Sequence, residues 1–118
     1  MQKSFIWHKI AGSPDELGFG VNRLAEIIVS GTKICIVRSG DLFKACAAKC
    51  PHASGVLAEG YLDTQGNIVC PVHRYKFSLE NGRNVSGEGY YLKTYPVEMR
   101  GDGLYLGLPA GGLMKWLG

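Results

Sequence analysis

The stretch that decides the fold begins at Cys50-Pro51-His52 and ends at Cys70-Pro71-Val72-His73. Its spacing is C-x-H-x17-C-x2-H, so each half supplies one thiolate and one imidazole beside a proline. Two thiolates and two imidazoles can hold a [2Fe-2S] cluster asymmetrically, with both cysteines on one iron and both histidines on the other. The sequence therefore predicts Cys50, His52, Cys70 and His73 as the ligands of such a cluster.

The same four donors also suit a structural zinc ion in an interaction module. Zinc sites of that class usually place two cysteines together as C-x2-C and two histidines together as H-x3-H. Here each half mixes a cysteine with a histidine. The spacing therefore favours the cluster, and a structural zinc module stays an alternative.

Composition limits the class of protein further. The chain has 118 residues, of which 17 are glycine and 5 are proline, which is typical of a single loop-rich β domain spanning residues 1–118. The formal net charge of +3 is too small to indicate a nucleic-acid partner, and no apolar stretch is long enough for a membrane span. The N-terminus lacks the apolar segment of a signal peptide, so we expect a soluble cytoplasmic protein whose cysteines stay reduced.

Short β-branched and apolar runs separated by glycine turns predict an all-β, antiparallel protein. Asn81-Gly82 is the strongest hairpin signal, and Gly101-Asp102-Gly103 is a second one. Both ligand loops lie within residues 46–77, which we interpret as a small cluster-binding lobe inserted into a larger β scaffold. The predicted strands are 24–29, 33–38, 41–46, 67–69, 75–79, 83–86, 92–100 and 104–108.

The ligand motifs and their surroundings resemble the Rieske ferredoxin family, especially the ferredoxin components of aromatic-ring dioxygenases. The resemblance covers residues 5–107 and implies the two-lobed Rieske architecture, with the four predicted ligands in their family roles. Beyond the ligands, it rests on Leu57, Gly60-Tyr61-Leu62, Phe77, Asn81-Gly82 and Thr94-Tyr95-Pro96-Val97.

This resemblance implies a one-electron carrier that passes electrons from a reductase to an oxygenase or another redox enzyme. A small-molecule substrate is not expected. A complete oxygenase would need a mononuclear iron site of two histidines and a carboxylate, and His8 is the only histidine beyond the predicted ligands. The family also includes small subunits of assimilatory nitrite reductases, many of which lack the ligands, and this role is the alternative.

Several positions differ from the respiratory members of the family. Gly55 and Val72 occupy the places of the two cysteines that form a disulfide there, and Tyr75 occupies the place of a serine that donates to a cluster sulfide. Fewer donors to the sulfides predict a potential towards the low end of the family range. Arg74 replaces a usual glycine, so its side chain points outward or the turn changes. The cover loop, residues 87–90, contains Tyr90 in place of a proline-rich segment.

The remaining features leave alternatives open. Cys35 and Cys46 lie in predicted strands and are interpreted as buried structural thiols. Lys49, Arg74 and Lys76 border the predicted cluster, where they either steer an acidic partner or are ordinary solvated charges. The tail, residues 110–118, either packs on the scaffold or mediates association.

Overall fold

The computed structural model describes residues 4–52, 55–85 and 89–110. These residues form ten β-strands and two short 3-10 turns, Pro14–Leu17 and Leu57–Glu59, which confirms the all-β prediction. Within these ranges, no helix has the length and apolar character needed to cross a bilayer. The strands are β1 (Phe5–Ala11), β2 (Leu24–Val29), β3 (Thr32–Ser39), β4 (Leu42–Ala47), β5 (Tyr61–Leu62), β6 (Ile68–Val69), β7 (Lys76–Phe77), β8 (Thr94–Tyr95), β9 (Val97–Arg100) and β10 (Gly103–Pro109).

The strands form three antiparallel sheets. The first has the order β1-β10-β9, the second β2-β3-β4-β8 and the third β5-β6-β7. The third sheet lies inside the predicted lobe, residues 46–77, and its central strand β6 leads directly into Cys70. That the whole chain folds as one domain stays a prediction.

The predicted strand over 92–100 is wrong as a single element, because the chain divides at Pro96. β8 pairs with β4 in the second sheet, with Thr94 opposite Cys46, whereas β9 pairs with β10 in the first. Proline has no backbone N–H for a ladder, so Pro96 falls between the two pairings. One predicted strand therefore links two sheets.

The predicted hairpin around Asn81-Gly82 is also shorter than expected. Of the predicted first arm, Lys76–Phe77 forms a strand, and within 83–85, the described part of the second arm, Asn84 pairs with Phe77 in an isolated bridge. The Ser78 N–H donates to the Arg83 carbonyl (2.9 Å), and Gly82 has a φ of 76°, so the turn is a four-residue loop. The second arm then pairs Arg83 with Tyr91, which ends the ladder.

The central strand β3 supplies side chains to two cores. Ile34 and Ile36 pack between the first and second sheets, whereas Cys35 and Val37 face the core beneath the ligand loops. Successive side chains of a strand point to opposite faces, so a run buried on both faces joins scaffold and lobe. The lobe core also contains Leu57 and Phe77, both fully buried.

Asn22 attaches the lobe to the scaffold through its side-chain amide. Its Nδ2 donates to the carbonyls of Ala58 (2.8 Å) and Gly60 (3.0 Å), and its Oδ1 accepts from the Leu24 N–H (3.2 Å) at the start of β2. These three bonds fix the 3-10 turn that follows the first ligand loop, and so they fix the position of that loop.

Candidate metal centre

The first ligand loop leaves the second sheet after β4. The Cys50 N–H donates to the Gly55 carbonyl (2.9 Å), and the Leu57 N–H donates to the Ala48 carbonyl (2.9 Å), so the loop is closed at its base. His52, two residues after Cys50, is half-buried. Residues 53 and 54 fall outside the described ranges.

The second ligand loop connects β6 to β7. The Cys70 N–H donates to the Tyr75 carbonyl (2.9 Å), which closes a turn through His73 and Arg74. Both turn residues have positive φ, 100° for His73 and 56° for Arg74. Arg74 thus adopts the left-handed conformation that glycine favours. Its side chain is exposed, which agrees with the prediction that it points outward.

The two loops bring the thiols together in the lobe core. Cys50 is 2% exposed and Cys70 is fully buried, and neither is in a disulfide. Burial raises the pKa of the Cys70 thiol, and the neighbouring Cys50 raises that pKa further, while backbone N–H groups of Val72 and Gly55 oppose the shift. Two thiols held this closely in an apolar core suit a shared metal charge, which would displace their protons.

The two imidazoles form a second pair, nearer the surface. The ring centroids of His52 and His73 are 5.5 Å apart with an interplanar angle of 72°. His52 Nδ1 is buried and has no hydrogen-bond partner. Since buried imidazole nitrogens are normally hydrogen-bonded or metal-bound, this atom is placed as a metal ligand would be.

Among the described residues, no three histidine, cysteine or acidic side chains converge on a position for one metal ion. A tetrahedral zinc site requires four donors around a single ion. A sulfur pair in the core and a nitrogen pair outside it instead fit two irons with different ligands. The arrangement favours the cluster over the zinc alternative.

Gly55 shows why the two loops approach so closely. A Cβ at this position would lie 2.7 Å from Val72 Cγ2 and 2.8 Å from Cys70 Sγ, closer than real Cβ contacts. Gly55 and Val72 therefore face each other across the two loops. These are the positions that correspond to the two disulfide cysteines of the respiratory family members.

Two tyrosines surround His52. The Tyr75 ring stacks on the His52 ring with centroids 3.9 Å apart and an angle of 13°. Tyr90 meets the same ring edge-on, at 5.0 Å and 67°. Tyr90 belongs to the predicted cover loop. The stacking of Tyr75 on His52 is not predicted from the sequence. Its only signal was an aromatic residue two positions after a ligand histidine.

The other two cysteines are buried, as expected, and lie directly opposite each other on β3 and β4. Contact with the Cys35 thiol, together with burial, raises the pKa of Cys46 well above its usual value. A protonated thiol is a poor nucleophile, and both side chains pack in the lobe core on strands rather than in the ligand loops. Cys35 and Cys46 therefore act as core residues.

The charged residues at the loops are basic. Lys49 and Arg74 are exposed, and Lys76 Nζ lies 3.9 Å from Asp63 Oδ2 at the edge of the third sheet. Neither 44–58 nor 69–78 contains aspartate or glutamate. We call Lys49 and Arg74 the basic rim.

The comparisons with known proteins agree with this geometry. A family model described as the Rieske [2Fe-2S] domain matches residues 7–96. The chain belongs to the Rieske [2Fe-2S] family. The predicted [2Fe-2S] cluster is thereby confirmed as the cofactor of the family. The resemblance to Rieske proteins is confirmed as well.

Curated Rieske relatives are ferredoxins of oxygenase systems. The chain is 29% identical over 75 residues to the alkene monooxygenase ferredoxin component of Xanthobacter autotrophicus, covering 64% of this chain and 62% of that protein. It is 31% identical over 77 residues to the 3-phenylpropionate/cinnamic acid dioxygenase ferredoxin subunit of Escherichia coli, covering 64% and 73%. Both relatives are named as ferredoxin components of oxygenase systems, which is the class of electron-transfer protein that the sequence resembles.

Solved structures with the Rieske fold are also similar. A ferredoxin in complex with the oxygenase of carbazole 1,9a-dioxygenase has a TM-score of 0.71 at 28% identity, covering 86% of this chain and 93% of that one. A putative NADH-dependent nitrite reductase small subunit from Mycobacterium tuberculosis has a TM-score of 0.77 at 20% identity, covering 91% and 98%. The second likeness shows the fold alone.

Proposed function

We propose that Cys50 and Cys70 bind one iron of a [2Fe-2S] cluster, that His52 and His73 bind the other, and that the chain transfers single electrons between redox proteins. The observation that supports this most directly is the buried, unpartnered Nδ1 of His52, in the same lobe as a pair of buried thiols. When bound, the cluster supplies reversible one-electron chemistry at about −150 to +300 mV.

The two kinds of predicted ligand lie at different depths in the lobe. The thiols lie in the lobe core, where they would hold one iron away from solvent. The imidazoles lie outward of them, and His73 is exposed. With Nδ1 of His52 directed into the protein, Nε2 is the nitrogen left to face a partner. The histidine side of the lobe, where His73 is exposed, would therefore be the side that a redox partner meets.

An oxygenase is the proposed acceptor and a reductase the proposed donor, because the relatives named above are ferredoxin components of such systems. The alternative is a nitrite reductase small subunit, which is compatible with the similarity in fold. Co-purification with a large sirohaem protein would favour this alternative. A cytoplasmic location is part of the proposal, since a reducing compartment keeps the ligand thiols available for iron.

The cofactor is tested by iron, sulfide and zinc analysis of the purified protein together with low-temperature EPR after dithionite reduction. We expect equal amounts of iron and acid-labile sulfide and a reduced-state EPR signal. Zinc with no visible absorption would support the structural alternative. A protein that stays colourless after anaerobic reconstitution would contradict the proposal.

The potential is expected near the low end of the family range, because Tyr75 stands where the respiratory members have a serine donor. Protein-film voltammetry measures it directly. A value of about +300 mV, the top of the range, would show that this reasoning is wrong.

The basic rim is expected to accelerate reduction by anions. Reversing both charges, Lys49→Glu with Arg74→Glu, should slow reduction by dithionite several-fold at low ionic strength, because the reductant is anionic and the rim no longer attracts it. The difference should shrink as salt screens the charges. Stopped-flow absorbance measures the rate, and Lys9→Glu on β1 is the control. Equal rates for the two variants would mean that the rim is ordinary solvated charge.

A further inference from the structure

We infer that Tyr75 is a positioning residue that joins the two ligand loops and holds the His52 imidazole in the orientation required for iron. This inference rests on the proposed cluster. It concerns a residue that the ligand motif does not include, at a position where the family resemblance suggested only a missing serine.

The main chain of Tyr75 belongs to the second loop. Its carbonyl accepts the Cys70 N–H at 2.9 Å, and the next residue, Lys76, begins β7 and pairs with Val69. Its side chain is partly buried against the lobe core. The position of the Tyr75 ring is therefore fixed by the loop that contains Cys70 and His73.

The side chain of Tyr75 contacts the first loop. Its ring lies nearly parallel to His52, 3.9 Å away at 13°, while its distance from His73 in its own loop is 6.5 Å. Tyr90 makes a T-shaped contact with His52, and its ring lies 6.1 Å from that of Tyr75. The imidazole thus has one ring stacked on it and a second ring in a T-shaped contact with it.

This contact matters because no covalent bond links the loops. Gly55 and Val72 fill the places of the disulfide cysteines, and all four cysteines of the chain are free thiols. A flat ring against the face of His52 prevents the imidazole from turning about its Cβ–Cγ bond, and it keeps water from the buried Nδ1. Stacking thereby adds a planar constraint to a ring that is otherwise held by its own loop and by the contact with Tyr90.

A plain hydrophobic cover would give similar burial but would not orient the ring, so the test compares side chains that differ in flatness. Tyr75→Phe retains the ring, and Tyr75→Leu retains apolar bulk without a flat face. Tyr61→Leu, at an exposed tyrosine of β5, is the matched control. Each protein is reconstituted, and iron and sulfide are measured before any comparison.

Two readouts separate orientation from stability. The first is the pair of imidazole ¹⁴N hyperfine couplings in pulsed EPR of the dithionite-reduced protein, which report how each ring is oriented at its iron. The second is the rate at which a ferrous chelator removes iron. We expect Tyr75→Phe, which keeps the flat ring, to match the wild type in its nitrogen couplings, and Tyr61→Leu to match it in both readouts. We expect Tyr75→Leu to change one set of couplings and to lose iron about two- to tenfold faster.

Unchanged nitrogen couplings in Tyr75→Leu would overturn the inference, even if iron were lost faster, because a simple cover would behave in that way. Should the leucine variant not accumulate, Tyr75→Trp retains a flat ring: unchanged couplings there support the inference, and altered couplings contradict it. A wild-type protein without iron and sulfide would refute the cluster itself, whereas a wild-type cluster unaffected by Tyr75→Leu would refute only the role of Tyr75.

Discussion

Replacing His73 with cysteine is expected to lower the reduction potential of the reconstituted protein by about 100 mV or more, or to abolish the cluster. A thiolate in place of a neutral imidazole adds a negative charge beside the iron that accepts the electron, so the reduced state becomes less stable. Plant-type ferredoxins, whose clusters have four cysteine ligands, have reduction potentials of about −400 mV for this reason. His73 is exposed, so replacing it with the smaller cysteine does not open a cavity in the core.

Protein-film voltammetry and the absorption spectrum measure this effect. The matched control is His8→Cys, because His8 is the one histidine outside the motif and lies on β1, opposite Leu106 in the first sheet. We expect the control to retain the wild-type potential. A His73→Cys protein with an unchanged potential and spectrum would show that His73 is not a ligand.

Local patterns predicted the scaffold well where they depend on neighbouring residues only. The strand predicted over 24–29 is β2 itself, because its apolar run ends at Ser30-Gly31 and Gly31 has the positive φ of a tight turn. The split at Pro96 was missed, because the missing N–H marks a break but does not tell which sheet each half joins. That choice depends on the distant strand β4, which pairs with β8.

The candidate site divides in the same way. Cys50, His52, Cys70 and His73 lie within two short loops, so their spacing is enough to predict them as a donor set. The stacking of Tyr75 on His52 cannot, because it requires the two loops to meet at a distance and angle that the whole lobe determines. The glycine at position 55 was noted as a replaced cysteine, but its contact with the Cys70 sulfur appears only in three dimensions.

Gly55→Ala is expected to accelerate cluster loss by about tenfold to a hundredfold. The new Cβ would lie 2.8 Å from Cys70 Sγ and 2.7 Å from Val72 Cγ2, so the Cys70 and Val72 side chains or the loops that carry them must shift. The Gly55 carbonyl also accepts the Cys50 N–H, so the shift reaches both thiols. Overpacking of this kind typically costs about 1–3 kcal/mol. Iron release to a ferrous chelator, followed by absorbance, measures the effect.

Gly101→Ala is the control for the extra methyl group, because Gly101 lies between β9 and β10 and a Cβ there has no neighbour within 4 Å. The double variant Gly55→Ala with Val72→Ala identifies the group that resists the methyl. Truncating Val72 removes one contact but leaves the Cys70 sulfur in place, so we expect only partial recovery of cluster lifetime. Full recovery would assign the effect to Val72 alone, and a wild-type lifetime in Gly55→Ala itself would contradict the close approach of the two ligand loops.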